Sequence, residues 1–213
     1  ASLFVFKILV AAYFLSYYVS RWHRIMYIAD APARGIEAYR LAFDTFTLFP
    51  KHQFPPLTLW LWAALLRVWP DIYWTGTALN VVAGAGTAVM LYFLGRRLGG
   101  WLAGVTAALL FTFSPVHHNL TVDMGMAESI FYFWLSAGVV LAARAEAGLK
   151  GRAGALACFA GASLCRYEGA AFLTLYALYV AVLNRPPRRR DWLLYALPLI
   201  VAAVFLAHKA MQP

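Results

Sequence analysis

Residues 28–57 read IADAPARGIEAYRLAFDTFTLFPKHQFPPL and form the longest polar interruption in an otherwise apolar chain of 213 residues. The stretch ends in a stiff Pro55-Pro56 step. It carries three of the nine acidic side chains, Asp30, Glu37 and Asp44. On either side of it the sequence consists of apolar runs with short connections. Chemistry carried out by this chain is therefore expected to depend on this segment.

The composition is typical of an all-α polytopic membrane protein. Hydrophobic residues make up 63% of the chain and charged residues 13%, against about 25% charged residues in soluble domains. Several apolar runs reach the roughly 20 residues that a helix needs to cross a bilayer. The net charge of +9 does not indicate nucleic-acid binding, because the basic residues lie at the ends of apolar runs, where they orient helices.

The charge pattern predicts one module, residues 1–213, with the N-terminus cytoplasmic. About seven transmembrane segments are expected, at residues 3–20, 74–95, 101–117, 126–143, 153–171, 172–184 and 192–208. This arrangement keeps Arg96, Arg97 and Arg144 on the cytoplasmic side. The boundary between the fifth and sixth segments, near Gly169, is left open.

The first outer loop, residues 21–73, is predicted to hold two juxtamembrane helices. Ile36, Tyr39 and Phe43 recur at helical spacing and define the apolar face of the first helix, which Pro50 ends. Residues 57–69 form the second, because about 13 residues are short for a span and tryptophan favours the interface. A crossing by residues 57–69 is the alternative, and it would reverse the topology downstream.

Two acids of this loop are candidate catalytic groups. Asp30 is either a general base that activates an acceptor or the N-cap of the helix that begins near Pro32. Glu37 shares a helix face with Asp44, so the pair either binds a cation or an acceptor or forms a solvated face.

Three cations are candidate ligands of a phosphate. Lys51 and His52 precede the rigid Pro55-Pro56 step, where they either hold a lipid phosphate or anchor the loop at the membrane interface. Arg166 lies near the outer end of the fifth segment, where an ionisable group is a functional suspect by default. It holds a phosphate, pairs with Asp123 or Asp30, or forms a structural pair with Glu168.

His117 and His118, followed by Asp123 and Glu128, invite comparison with a metal site. Neighbouring histidines diverge on regular structure, however, and no ligand spacing indicates a closed site. The sequence identifies no cofactor. A divalent cation is compatible with the outer connection between the predicted segments 101–117 and 126–143.

The order of several short motifs resembles the GT-C superfamily of membrane glycosyltransferases. The likeness is strongest to the branch that contains protein O-mannosyltransferases and lipid A aminoarabinose transferases, and it covers nearly the whole chain. The motifs are Gln53-Phe54-Pro55-Pro56-Leu57, Leu94 to Leu98 (Leu-Gly-Arg-Arg-Leu), Ser114-Pro115, Asp123, and Arg166 to Gly169. This chain departs from the family pattern because Ala31, not a second acid, follows Asp30, and because the lysine of the Pro-Pro element is displaced to Lys51.

The resemblance implies transfer of a sugar from a polyprenyl-phosphate donor to a protein, lipid or glycan acceptor at the outer face, with inversion. Asp30 or Glu37 would be the base. Lys51, His52 and Arg166 would hold the donor phosphate, while Asp123, Glu128 and Glu168 would bind the acceptor or orient Arg166. The expected partners are the lipid-linked donor, the acceptor and membrane lipids, and no nucleic acid. The alternative is a non-catalytic subunit that packs against other membrane subunits of a complex.

Overall fold

The computed structural model describes residues 2–22, 31–44, 54–117, 126–144, 149–183 and 192–210. Within these ranges the chain is helical and contains no strand, so the predicted all-α class is confirmed. The helices are α1 (Ser2–Trp22), α2 (Ala31–Phe43), α3 (Pro56–Val68), α4 (Ile72–Thr112), α5 (Ala127–Arg144), α6 (Leu149–Ser163), α7 (Gly169–Leu183) and α8 (Trp192–Ala210).

Helix α4 is a hairpin of two arms rather than one straight rod. A straight helix of its 41 residues would be about 60 Å long, twice the thickness of a hydrocarbon core. The helical backbone breaks at Gly99 and Gly100, and Gly100 has a φ of 80°, which favours glycine. A Cβ built on Gly104, in the second arm, would lie 2.6 Å from the carbonyl oxygen of Tyr92 in the first. The two arms therefore fold back on one another.

The two arms correspond to the predicted segments 74–95 and 101–117. The second arm ends at Thr112, five residues earlier than expected, because Pro115 cannot continue a helix and disfavours helical geometry at Ser114. By length and composition α4 is the one helix of the described ranges that is long and apolar enough to cross a membrane. The count of seven transmembrane segments therefore stays a prediction.

Helix α2 buries two polar side chains together with apolar ones, and it exposes three large apolar side chains. Arg34 and Glu37 are both 8% exposed, whereas Ile36, Tyr39 and Phe43 are exposed. Large apolar side chains exposed on one face are the pattern expected of a helix that meets lipid. The predicted amphipathic character of this segment is confirmed, and its place at the membrane surface stays a prediction.

Helix α3 is held between α2 and the start of α4. The indole nitrogen of Trp62 donates to Thr75 Oγ1 at 2.9 Å, and Arg67 Nε donates to the carbonyl oxygen of Ala42 at 3.1 Å. The side chain of Asp71 caps α4 by accepting from the backbone nitrogens of its first turn. At 13 residues α3 is about 20 Å long, which supports the prediction that it does not cross the membrane.

Helix α6 is the centre of the remaining bundle, since it packs against α5, α7 and α8. Leu156 and Phe159 of α6 form a buried cluster with Leu173, Tyr176 and side chains of α8. The predicted segment 153–171 is wrong in its bounds, because α6 ends at Ser163 and a turn of residues 164–168 precedes α7. The turn brings Gly169 so close to the α6 backbone that a side chain there would collide with it.

Candidate active site

A pocket of about 440 Å³ lies where the helices of the first loop meet one end of the bundle. Arg34 of α2 and Phe54 and Pro55 before α3 form one wall. The opposite wall comes from the start of α5 and from the turn after α6. The lining residues are Arg34, Phe54, Pro55, Met126, Glu128, Cys165, Arg166, Tyr167 and Glu168. Two arginines and two glutamates therefore share a partly apolar site.

Arg166 joins the two glutamates of this pocket. Its Nη1 pairs with Glu128 Oε1, and its Nη2 and Nε donate to Glu168 at 2.8 and 3.3 Å. The Glu168 carboxylate is 59% exposed, whereas that of Glu128 is only 14% exposed. Glu168 lies in the turn between α6 and α7. The hydrogen bonds from Arg166 lower the pKa of its carboxyl group. The pairing with Glu168 is the structural alternative that the sequence left open.

One of the two carboxylate oxygens of Glu128 can still accept a hydrogen bond. Its Oε2 is buried, and among the residues that the structure describes no group donates a hydrogen bond to it. A buried carboxylate oxygen without a donor is costly. A hydroxyl or amine of a ligand in the pocket could supply the missing hydrogen bond.

The Pro55-Pro56 step attaches the first loop to the Arg166 turn. Pro55 has an extended backbone, and Pro56 occupies the first turn of α3, where no amide hydrogen is needed. The next amide, that of Leu57, donates to the carbonyl oxygen of Leu164 at 3.0 Å. This hydrogen bond holds the wall that contains Phe54 against the wall that contains Arg166.

Arg34 is a pocket residue that the sequence reasoning did not single out. Its guanidinium lies 4.8 Å from the centre of the Phe54 ring, and Nη1 is 3.6 Å from the sulfur of Met126. A guanidinium in a pocket is suited to binding an anionic group of a ligand. The available signal was its position on the polar face of an amphipathic helix, one turn before Glu37.

The structure places Glu37 apart from this pocket. The carboxylate is 11% exposed and lies 3.9 Å from Arg40, and Glu37 is not among the described residues that line the pocket. Four other predicted site residues, Asp30, Lys51, His52 and Asp123, lie outside the described residues.

His117 is packed rather than exposed to a ligand. It is 3% exposed, and its ring lies 3.9 Å from the centre of the Phe111 ring. Within the described ranges no group of three or more His, Cys, Asp or Glu side chains could hold a metal ion. His118 and Asp123, which belong to the same predicted outer connection, lie outside those ranges.

Comparison with known families decides the class of this protein. The model of a family described as dolichyl-phosphate-mannose-protein mannosyltransferase matches residues 53–210, well over half of the chain. The chain belongs to this family. The mannosyltransferase family is a membrane glycosyltransferase family of the GT-C type, so the resemblance seen in the motifs is confirmed. No curated protein and no solved structure matches the chain.

The matched range shows which parts of the candidate site are shared with the mannosyltransferase family. It includes the Pro55-Pro56 step, α5 and the Arg166 turn, and it therefore includes most of the pocket wall. It begins after α2, so Arg34 and Glu37 lie before it.

Proposed function

We propose that this chain transfers a sugar from a polyprenyl-phosphate donor to an acceptor at the outer face of a membrane, with inversion. The observation that carries the proposal is the pocket between the first loop and the bundle, in which two arginines and two glutamates face one space. A transferase with a lipid phosphate leaving group needs both signs of charge, cations for the phosphate and carboxylates for the acceptor. The family's description supports a lipid-phosphate sugar as the donor.

Some predicted site residues lie outside the described ranges, and their positions in the sequence support the roles proposed for them. Asp30 directly precedes α2 and comes four residues before Arg34. His52 is two residues before Phe54, and Asp123 is three residues before Met126. Arg34, Phe54 and Met126 all line the pocket. Three separate stretches that carry predicted site residues are thus followed, within a few residues of sequence, by a residue that lines this pocket.

We assign the donor phosphate to the side of the pocket formed by Arg34 and Phe54, together with Lys51 and His52. Arg34 is a buried guanidinium beside an aromatic ring. Charge that develops on the departing phosphate is stabilised strongly by cations in such a water-poor environment. Lys51 and His52 precede Phe54 by three and two residues in the sequence, which supports this assignment.

We assign the acceptor to the side formed by Glu128 and Glu168. Because Arg166 is engaged by both carboxylates, it acts in this proposal as a positioning residue that aims Glu128, and not as a direct ligand of the phosphate. Glu128 Oε2 then accepts a hydrogen bond from the hydroxyl or amine that attacks. Asp123 lies on the same connection and contributes to orienting the acceptor.

We assign the general base to Asp30. Arg34, one helical turn further along the chain, faces the pocket, whereas Glu37 does not line it. The Asp30 carboxylate takes the acceptor proton as the acceptor oxygen or nitrogen bonds to the anomeric carbon. The bond from that carbon to the phosphate oxygen breaks with its electron pair, and polyprenyl phosphate leaves. A single displacement of this kind inverts the anomeric configuration.

The experiment is transfer or hydrolysis of a panel of polyprenyl-phosphate sugars by the purified protein. Asp30→Asn is compared with Glu37→Gln, and Asp44→Asn is the control because Asp44 is an exposed acid at the end of α2. We expect Asp30→Asn to lose turnover, by about a hundred-fold or more, and Asp44→Asn to keep it. Loss in Glu37→Gln alone would move the base to Glu37. A folded protein that turns over no donor would favour the non-catalytic subunit.

A further inference from the structure

A second charged pocket lies at the opposite end of the bundle from the candidate active site. Its volume is about 370 Å³, and its wall includes Phe93, Arg96 and Arg97 of α4 and Val140 and Arg144 of α5. Helix α5 connects the two sites, since Glu128 lies near its start and Arg144 at its end. The 16 residues between them correspond to about 24 Å along the helix axis. The two pockets are therefore nearly a bilayer core apart.

Only positive charge lines this second pocket among the described residues. Three arginines face it, and no described carboxylate does. The guanidinium of Arg144 lies 5.6 Å from the centre of the Phe93 ring. Within the described ranges neither Arg96 nor Arg144 forms an ion pair. Arg96 and Arg144 are exposed, and their guanidinium forks suit phosphate oxygens.

An apolar groove of about 500 Å³ adjoins the arginine pocket. The ring of Phe93 belongs to the walls of both. The groove runs between α1 and both arms of α4, and it is lined by Leu3, Phe6, Val89, Tyr92, Phe93 and Val105. A free inorganic anion would use the arginines only, whereas a ligand with a phosphate and a hydrocarbon chain would use both spaces.

We propose that these two spaces bind one anionic phospholipid of the surrounding bilayer. Its phosphodiester pairs with Arg96 and Arg144, and one acyl chain lies in the groove between α1 and α4. The rule that places basic residues on the cytoplasmic side requires only that the arginines lie on that side. It does not require three of them to meet in one pocket beside an apolar groove. The lipid joins α1, α4 and α5 at the end remote from the active site.

The first test is retention of lipid by the purified protein, measured by native mass spectrometry after exchange into equal amounts of phosphatidylglycerol and phosphatidylethanolamine. We expect selective retention of phosphatidylglycerol, with an affinity about ten-fold lower in Arg144→Gln. Lys150→Gln is the matched control, since it removes one positive charge outside the pocket from the exposed start of α6. Arg96→Gln is the second variant, because its side chain is exposed and its loss leaves the fold intact.

The second test separates a lipid from a free anion. Val105→Trp fills the groove and leaves the arginines in place, so it should weaken phosphatidylglycerol binding without changing the response to inorganic phosphate. Equal retention of both lipids, or equal effects of Arg144→Gln and Lys150→Gln, would overturn the proposal. Displacement of the lipid by millimolar inorganic phosphate, together with unchanged binding in Val105→Trp, would show a free-anion site and would also overturn it.

Discussion

Replacing Arg166 with glutamine should destabilise the protein far more than replacing its exposed partner Glu168. Arg166→Gln leaves the Glu128 carboxylate, which is 14% exposed, without its cation. Removing one partner of a fully buried pair costs about 3–5 kcal/mol. Because the Arg166 side chain is 32% exposed and water screens part of the interaction, we expect about 2–3 kcal/mol. Glu168→Gln, at an exposed carboxylate, should cost about 0.5 kcal/mol.

The double variant Arg166→Gln/Glu128→Gln gives the decisive comparison. It removes the buried negative charge together with its cation, so it should be more stable than Arg166→Gln by about 1 kcal/mol or more. In a chain of this size, 1 kcal/mol corresponds to about 2–4 °C in the melting temperature. Arg166→Gln should then melt about 5–10 °C below the wild type, and Glu168→Gln about 1–2 °C below it.

Thermal unfolding in detergent can be followed with a thiol-reactive fluorophore. Cys158 and Cys165 are free and buried, so they react only as the structure opens, and Cys165 lies within the turn that contains Arg166. Equal losses in Arg166→Gln and Glu168→Gln would refute the reasoning. So would a double variant no more stable than Arg166→Gln, because Glu128 would then not depend on its cation.

Three further predictions concern packing, hydrogen bonding and pH. Gly169→Ala should lower stability by about 1–3 kcal/mol, because its side chain would meet the α6 backbone. Gly154→Ala should be neutral or slightly stabilising, because its side chain would make only an ordinary contact. Thr75→Val should cost about 1–3 kcal/mol, because it leaves the buried indole nitrogen of Trp62 without its acceptor. The lowered pKa of Glu168 means that its stabilising effect is present above the ordinary value of 4.5 and is lost as the pH falls through the lowered value.

The same unfolding assay checks all three predictions. Gly169→Ala must fall below Gly154→Ala, and an equal melting temperature for the two would contradict the close approach at Gly169. An unchanged melting temperature for Thr75→Val would mean that the indole finds another acceptor. The difference between wild type and Glu168→Gln should shrink as the pH is lowered towards 4, and a difference that grows would reverse the sign of the argument.

The sequence alone determined the class of the protein and most of its helical segments. The apolar runs, the scarcity of charge and the basic pair at Arg96 and Arg97 are local properties. They predicted an all-α chain, separate segments on either side of that pair, and two short helices around the Pro55-Pro56 step. The order of the motifs also sufficed for the family, because short motifs are read from sequence without knowledge of contacts.

Segment ends depended on interactions that sequence reasoning does not contain. The fifth predicted segment continued through Arg166 because no charged residue other than Arg166 and Glu168 interrupts the run. In the structure α6 ends at Ser163, and the turn that follows is held by a hydrogen bond from Leu57. That partner is more than a hundred residues away in sequence, so no local pattern could reveal it.

Tertiary structure alone decided which charges meet. Sequence identified Glu128, Arg166 and Glu168 as candidates, but it did not pair Arg166 with Glu128, 38 residues earlier in the chain. It passed over Arg34, whose place in the pocket depends on the packing of α2 against the rest of the protein. The physical reason is that a helix pattern shows which side chains share a face, whereas the partner of that face is set by the packing of helices distant in sequence.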